Sequence, residues 1–235
     1  MVTGILAVLA IGGLLGFRHA FEPDHLAAVS TLASRPAGGP RSLWSVARLG
    51  LAWGVGHTVT VGAIALLVVA LGVRFPVALW PAAELTVAAL LVLLGGSVVW
   101  RYARGRWHMH LHAHEANPHF HLHSHERDAG HAHGHRQADA RRSLGFGIAH
   151  GLAGSGAIAV LLVAAAPSAG LRLAYFAAFG AGTIVGMLAV TLALGSLVRV
   201  ASAKGARWAT ALHLGSACVS VLAGVVLAQR VLFGG

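Results

Sequence analysis

Five ionisable side chains fall within eight consecutive residues of an otherwise apolar part of the chain: Arg18, His19, Glu22, Asp24 and His25. A charge at the centre of a lipid bilayer costs about 2.5–3.5 kcal/mol on insertion scales, so ionisable groups at membrane depth usually serve a function. Imidazole nitrogens combined with a carboxylate suit Ni, Co, Zn or Cu better than Mg or Ca. The spacing therefore predicts a divalent-metal site formed by His19, Asp24 and His25, with Glu22 as a further candidate ligand.

Pro23 is the residue that allows these histidines to share one ion. In an unbroken helix His19 and His25 would point about 240° apart, at 100° per residue. Pro23 has no amide hydrogen and clashes with the carbonyl of His19, four residues before it. It also disfavours helical backbone at Glu22. We therefore expect the helix to break just before Pro23, and unwound segments of membrane helices often bind ions.

The composition is that of a membrane protein. Of 235 residues, 57% are hydrophobic and only 10% are charged, whereas soluble domains have roughly 25% charged residues. Several apolar runs reach about 20 residues, the length that crosses a bilayer as a helix. The net charge of +10 lies mostly in loops beside these runs, which argues against nucleic-acid binding. The single cysteine, Cys218, excludes an internal disulfide and a cysteine-based metal site.

These features predict an all-α polytopic protein of the cell (inner) membrane. About six spans are expected, the first one broken near Pro23: residues 2–33, 49–73, 82–100, 144–166, 171–198 and 208–232. Most lysines and arginines follow the first, third and fifth spans. The positive-inside rule then places both termini outside and the long connection after the third span in the cytoplasm.

The predicted spans form two units of three, residues 1–100 and 143–235, on either side of an insert, 101–142. The tripeptide LGF opens each unit, at 15–17 and 144–146, and GVGHT in the second span resembles GAGT in the fifth. Three spans per unit would give an inverted repeat, a common transporter plan with the substrate site near the midplane. Four glycine pairs have the four-residue spacing of closely packed helices: Gly12/Gly16, Gly50/Gly54, Gly147/Gly151 and Gly182/Gly186.

The insert is rich in alternating histidines, here called the histidine tract: His108, His110, His112, His114, His119, His121, His123, His125, His131, His133 and His135. With few apolar residues to bury, the insert is predicted to be disordered without metal. Neutral imidazoles bind transition metals, so the tract is predicted to collect, buffer or sense metal in the cytosol. Protonation should release that metal at acidic pH. A plain solvated linker is the alternative.

The motifs of the first two spans resemble those of a known family. RHAFEPDHLAAV is similar to RHAxDADH, the signature of the nickel/cobalt transporter family, whose His-x4-Asp-His element is needed for metal transport. GVGHTVTV resembles the Gly-His-Ser/Thr element of that family's next span. Carried over by position, the resemblance implies four metal contacts: His19, Asp24, His25 and His57.

The second unit departs from the family pattern. The family motif LGFDTATE meets LGFGIAHG here, so Gly147 and Gly151 stand where acids are expected, and His150 is an added candidate ligand. His150 could equally be a packing residue. Six spans instead of the usual eight make the chain similar to a compact branch, the small membrane proteins associated with urease and nickel handling.

The predicted function is transport of nickel and/or cobalt, without a tightly bound cofactor. Moving two positive charges inward gains about 4.6 kcal/mol at 100 mV. This gain and the resemblance of the first span slightly favour uptake. Efflux, with the histidine tract as a cytosolic collector, stays open. The partners implied are the divalent ion, the lipid bilayer and cytosolic metallochaperones that could exchange the ion.

Three other interpretations stay open. The histidines near Pro23 could only hydrogen-bond within a helix interface, while Arg18 pairs with Glu22 or Asp24. Ser155 and His213 resemble the serine–histidine pair of rhomboid intramembrane proteases, although the glycine and asparagine that accompany that pair are missing. A membrane-bound metal sensor or store without transport is the third. Proteolysis needs neither the Arg18–His25 segment nor the histidine tract, so the sequence favours a transporter that is not an enzyme.

Overall fold

The computed structural model describes residues 2–33, 42–71, 80–104, 107–114, 117–124, 135–152 and 168–234. Its elements, in chain order, are α1 Val2–His19, α2 Pro23–Ala33, α3 Leu43–Leu71, α4 Trp80–Ala103, β1 Trp107–His114, β2 Asn117–Ser124, α5 His135–Leu152, α6 Ala169–Lys204 and α7 Ala206–Phe233.

The helices confirm the prediction of an all-α polytopic membrane protein. Four are long and apolar enough to cross a membrane: Leu43–Leu67, Pro81–Ala103, Ala169–Lys204 and Arg207–Phe233. A bent pair, Ile5–His19 with Pro23–Leu32, gives a fifth if it is one span. Most of the predicted fourth span lies outside the described residues, so the count of six stays a prediction.

The first helix breaks where the sequence predicts, with a bend of 57° between α1 and α2. The amides of Ala20, Phe21 and Glu22 each donate to a carbonyl only three residues back, which tightens the end of α1. The Glu22 carbonyl then accepts from the Leu26 amide at 3.0 Å, so helical bonding resumes at once. Pro23 has no amide hydrogen to lose and suits the first position of α2.

Helix α1 packs in parallel along α6, and small residues allow the contact. A Cβ atom on Gly12 would meet the Tyr175 carbonyl oxygen at 2.8 Å, and one on Gly16 would overlap the Phe179 carbonyl. The residue numbers on the two helices rise together along the contact, which shows that they run in the same direction. This approach explains the four-residue glycine spacing of α1.

Helix α5 packs in parallel along α3 through the equivalent contacts. Ser143 Oγ donates to the Leu49 carbonyl at 2.8 Å, and a Cβ on Gly147 would overlap the Trp53 carbonyl. Ser143 is 131 residues after Gly12, and Gly147 is 131 after Gly16. The two α3 carbonyls are likewise 126 residues before the two of α6 that α1 contacts. The α1–α6 and α3–α5 pairs are therefore copies of one packing arrangement.

The third helices of the two units pack against each other reciprocally. Gly95 of α4 faces the Ala217 carbonyl of α7, and Gly224 of α7 faces the Ala88 carbonyl of α4. Both pairs of equivalent residues, 88 with 217 and 95 with 224, are 129 apart. The numbers run in opposite directions along this contact, so α4 and α7 are antiparallel. The glycines of the two helices are therefore equivalent residues, and so are the carbonyls that they face.

The second helices show the same reciprocity. Gly54 of α3 faces Ile184 of α6, and Gly180 of α6 faces Thr58 of α3, so these two helices are also antiparallel. The equivalent residues, 54 with 180 and 58 with 184, are 126 apart. Since α1 runs with α6 and α5 runs with α3, the first helices of the two units point in opposite directions. The described helices therefore pack as an inverted repeat. In this repeat Leu15 is equivalent to Phe146. The predicted match between the two LGF tripeptides was therefore displaced by two residues.

The short helix α2 lies inside the bundle, where it packs against α4, α6 and α7. The buried core around it joins residues of several helices: Ala20, Ala27, Ala28, Val29, Leu32, Trp53, Val87, Leu91, Leu94, Met187 and Val190. Thr31 Oγ1 also donates to the Ser216 carbonyl of α7 at 3.2 Å. This enclosure holds the start of α2 against the end of α1.

Part of the insert is paired as two strands, and its disorder without metal stays a prediction. Strands β1 and β2 pair antiparallel, with Trp107 opposite Ser124 and His114 opposite Asn117, and α5 begins at His135. Alternation of histidine with other residues has the two-residue period of a strand, which agrees with these two strands. Residues 125–134, with three histidines of the tract, lie outside the described residues.

Candidate metal centre

Four buried histidines and one carboxylate meet where the first helix is broken. They are here called the histidine–aspartate cluster: His19, Asp24, His25, His57 and His150. His19 ends α1, Asp24 and His25 begin α2, His57 is at the middle of α3, and His150 is in the last turn of α5. The four histidines are only 0–5% exposed. The cluster thus collects side chains from four helices into the protein interior.

Three of the imidazoles form a first group. One ligand atom from each of His19, His25 and His57 lies within 4.8 Å of the other two. The Nε2 atoms of His19 and His57 are 3.2 Å apart, and the His25 ring stands edge-on to both of the others, with centroids at 4.6 and 5.2 Å. The break before Pro23 brings His25 back to His19, as the sequence analysis expects.

A second group shares His25 and contains the carboxylate. Ligand atoms of Asp24, His25 and His150 also lie within 4.8 Å of one another. One Asp24 oxygen is 3.3 Å from His25 Nδ1, and the other is 3.0 Å from His150 Nε2. Asp24 therefore bridges a histidine of the first unit and one of the second.

Two ring nitrogens in the cluster are buried without a hydrogen-bond partner in the described part of the chain. They are Nε2 of His25 and Nδ1 of His57. Leaving a buried polar atom unsatisfied costs about 1–3 kcal/mol. A nitrogen with a free lone pair is also what a transition metal requires of histidine. The cluster therefore contains two buried ring nitrogens that are free to bind a metal ion.

Glu22 lies beside the cluster rather than within it. Its Oε1 is 3.0 Å from His19 Nδ1, and its side chain is 43% exposed. Neither group of potential ligands contains it. A carboxylate on Nδ1 fixes the hydrogen there and leaves the Nε2 lone pair directed elsewhere, here towards His57. The pairing of Arg18 with Glu22 or Asp24 is not observed: both carboxylates contact histidines, and Arg18 is exposed.

The repeat explains why His150 belongs to the cluster. His150 is 131 residues after His19, so the two occupy the same position in the two units. An offset of 131 residues aligns FGIAHG, residues 146–151, with LGFRHA, residues 15–20. This alignment is the signal in the sequence that identifies His150. Its continuation sets Ser155 and Gly156 opposite Asp24 and His25. Ser155 and Gly156 lie outside the described residues.

Two aromatic walls, which the sequence analysis missed, repeat in the same way. The Phe179 ring lies 5.6 Å from that of His19, and the Trp53 ring lies 5.7 Å from that of His150. Phe179 is 126 residues after Trp53, so each wall stands against the equivalent histidine. Apolar walls of this kind exclude water and hold the imidazoles in place.

The remaining predicted residues are those of the histidine tract, Ser155 and His213. The side chains of the histidine tract and Ser155 lie outside the described part of the chain. His213 is buried in α7.

One known protein is clearly similar in sequence. The chain is 32% identical over 191 residues to urease accessory protein UreH of Bacillus sp. (strain TB-90), and the alignment covers 81% of this chain and 77% of that protein. No protein-family model matches the chain. No solved structure matches it significantly.

Proposed function

This chain belongs to the nickel/cobalt transporter family, and from that premise we propose that it carries Ni²⁺ and/or Co²⁺ across the membrane through the histidine–aspartate cluster. The observation that carries the proposal is the convergence of four buried imidazoles and one carboxylate at the break in the first helix. His19, Asp24, His25, His57 and His150 are the proposed contacts of the ion.

The chemistry of the cluster fits these cations. Imidazole suits Ni, Co, Zn and Cu, whereas Mg and Ca prefer oxygen ligands. With metal–nitrogen bonds near 2.1 Å, tetrahedral ligands are about 3.4 Å apart. The potential ligand atoms of each group are within 4.8 Å, so a shift of about 1 Å in side chains would close them on an ion. The Asp24 carboxylate would offset part of the positive charge that the ion brings into the bilayer.

Glu22 has a positioning role in this proposal and does not contact the ion. It holds His19 by Nδ1 at 3.0 Å, so that Nε2 stays available. Such outer carboxylates typically contribute 10–100-fold to metal affinity, with Glu22 expected near the lower end, about 10-fold, because it is partly exposed.

Transport would proceed by alternating access between the two inverted units. In transporters built this way, the units rock around a site at their interface. The cluster has this location, since Asp24 of the first unit contacts His150 of the second at 3.0 Å. We propose a cell-membrane location with both termini outside and the insert in the cytoplasm. The histidine tract there would buffer the ion and exchange it with cytosolic metallochaperones.

Inward movement is the proposed direction. A membrane potential of 100 mV, inside negative, favours entry of a divalent cation by about 4.6 kcal/mol, which corresponds to about three decades of gradient. Uptake therefore needs no second ion, whereas efflux would need one. The histidine tract also fits collection for efflux, and the measurement of direction decides between the two.

Radioactive nickel in cells with and without the protein tests the proposal. We expect expression to raise nickel accumulation, and cobalt to compete better than zinc or copper. Cells preloaded with nickel should not lose it faster when the protein is present. Faster loss would show efflux, and an unchanged nickel content in both assays would contradict transport.

A further inference from the structure

The cluster contains two sets of potential ligands rather than one. His19, His25 and His57 form one set and Asp24, His25 and His150 the other, each within 4.8 Å. Among the described residues no such set contains both His19 and His150. His25 is the only residue common to both.

We propose that the transported ion occupies two successive positions in the cluster and passes from one to the other around His25. This inference rests on the proposed function and specifies its path. The first position has three neutral imidazoles, all from the first unit. The second has the Asp24 carboxylate, His25, and His150 from the second unit.

The geometry of His25 allows it to serve both positions. Its Nδ1 lies 3.3 Å from Asp24, on the side of the second position. Its Nε2 has no hydrogen-bond partner among the described residues, although the ring is completely buried. The His25 ring is also in edge contact with both outer histidines, at 4.6 Å from His19 and 4.4 Å from His150. A neutral imidazole has its lone pair on one nitrogen and a hydrogen on the other, so His25 would bind the ion through Nε2 at the first position and through Nδ1 at the second, with its hydrogen on the nitrogen that is not bound to the ion.

The two positions differ in charge, and this difference gives the transfer a physical basis. An ion among the three imidazoles keeps its full double charge, whereas at the second position the Asp24 carboxylate neutralises half of it. At low dielectric this attraction is strong. His19 of the first position lies against Phe179 of the second unit, and His150 of the second position lies against Trp53 of the first unit. Rocking of the units can then expose the positions in turn.

A double-mutant cycle on nickel binding tests the inference. The full chain is purified in lipid nanodiscs, with the tract histidines replaced by asparagine in every sample so that only the membrane part binds. Asp24→Asn is then added to a His57→Ala chain, which retains the second position, and to a His150→Ala chain, which retains the first. We expect Asp24→Asn to weaken nickel binding about 100-fold in the His57→Ala chain. In the His150→Ala chain it should cost less than about 10-fold, because Asp24 there only orients His25.

The outcomes separate this inference from the proposed function. Equal losses in both backgrounds would show a single position and overturn the inference, while nickel transport by the unmodified chain would stand. Absence of nickel binding and transport in the unmodified chain would overturn both. If an alanine variant does not fold, His57→Gln and His150→Gln replace it. X-ray absorption of bound nickel adds an independent measurement: the ion should have only nitrogen ligands from the protein in the His150→Ala chain and a carboxylate oxygen in the His57→Ala chain, and identical spectra would contradict two positions.

Discussion

In the first unit the opening helix breaks after His19, and Asp24 and His25 follow the break. In the second unit the equivalent helix keeps His150 in the place of His19, but the sequence has Ser155 and Gly156 where Asp24 and His25 would stand. Over the described helices, the α1–α6 and α3–α5 contacts are equivalent, while four of the five residues of the histidine–aspartate cluster belong to the first unit. Packing and binding have therefore diverged separately within one repeat.

The comparison also shows which features the two units must both retain. Each unit keeps small residues against backbone carbonyls of a neighbouring helix, as with Gly16 against Phe179 and Gly147 against Trp53. Each supplies an aromatic ring beside the histidine of the other unit: Trp53 beside His150, and Phe179 beside His19. His57, on the second long helix of the first unit, has Thr183 as its counterpart in the second unit, and Thr183 Oγ1 donates to the Phe179 carbonyl within its own helix. The second unit thus has a threonine that hydrogen-bonds within its own helix where the first unit has a potential metal ligand.

Removal of the shared histidine should have the largest effect. His25→Ala takes a ligand from both groups, so we expect nickel uptake by cells to fall by at least about 100-fold. Thr183→Ala, which changes the counterpart of His57 in the other unit, should leave uptake within about twofold, because its hydroxyl hydrogen bond is worth only about 1 kcal/mol. If the His25→Ala chain takes up nickel at the unmodified rate, the claim that the metal-binding chemistry is concentrated in the first unit is contradicted.

The next effect compares the equivalent histidines directly. His19→Ala and His150→Ala each remove one ligand from one group, and we expect each to lower nickel uptake about 10–100-fold. His213→Ala is a matched control, since it removes a buried histidine that lies outside both groups. If His150→Ala behaves like the control, the second unit supplies packing alone.

A packing change should have a smaller effect of similar size in both units. Gly16→Ala and Gly147→Ala would press a methyl group against a backbone carbonyl, and overpacking of this kind costs about 1–3 kcal/mol. Gly145→Ala on α5 meets nothing within 4 Å and gains helix propensity of up to about 1 kcal/mol. Thermal unfolding of the purified protein should place the first two below the unmodified chain and Gly145→Ala at or above it. A stable Gly147→Ala chain would show that the repeat contacts are not tight.

The smallest effect on transport should come from the insert between the units. With the tract histidines replaced by asparagine, we expect nickel uptake to fall only a few-fold, since buffering is lost but the cluster remains. The isolated insert should bind nickel at pH 8 and release it towards pH 5, because imidazoles with the ordinary pKa of about 6.5 become protonated as the pH falls. Binding that does not change over this range would reject imidazole ligation.

Sequence reasoning located most of the cluster because its causes are local. Pro23 dictates the break, and the break lets His19 and His25 converge; His57 followed from a family motif. His150 stayed open because its role depends on the register of the repeat. A chance LGF match suggested the wrong register, and only contacts between helices distant in sequence fix the right one. Glu22 was grouped with the ligands because sequence spacing does not show which side of His19 a carboxylate approaches.

In the insert, two local properties of the sequence point to different structures. Its composition predicts disorder, but the alternation of its histidines has the period of a strand, and the structure has β1 and β2 there. Composition measures how much a segment can bury, whereas periodicity measures what local conformation it prefers. The two disagree over residues 107–114 and 117–124, where the periodicity agrees with the paired strands, and disorder of the insert without metal stays a prediction.

Voltage-driven nickel accumulation in proteoliposomes tests the central claim most directly. The purified chain is compared with a variant in which His19 and His25 are alanine and Asp24 is asparagine, both under an inside-negative potential. We expect the unmodified chain to concentrate nickel and the variant, with the same helix packing, to accumulate none above protein-free vesicles. Equal accumulation by both proteins would contradict the claim that the ion crosses through imidazoles and a carboxylate at the broken helix.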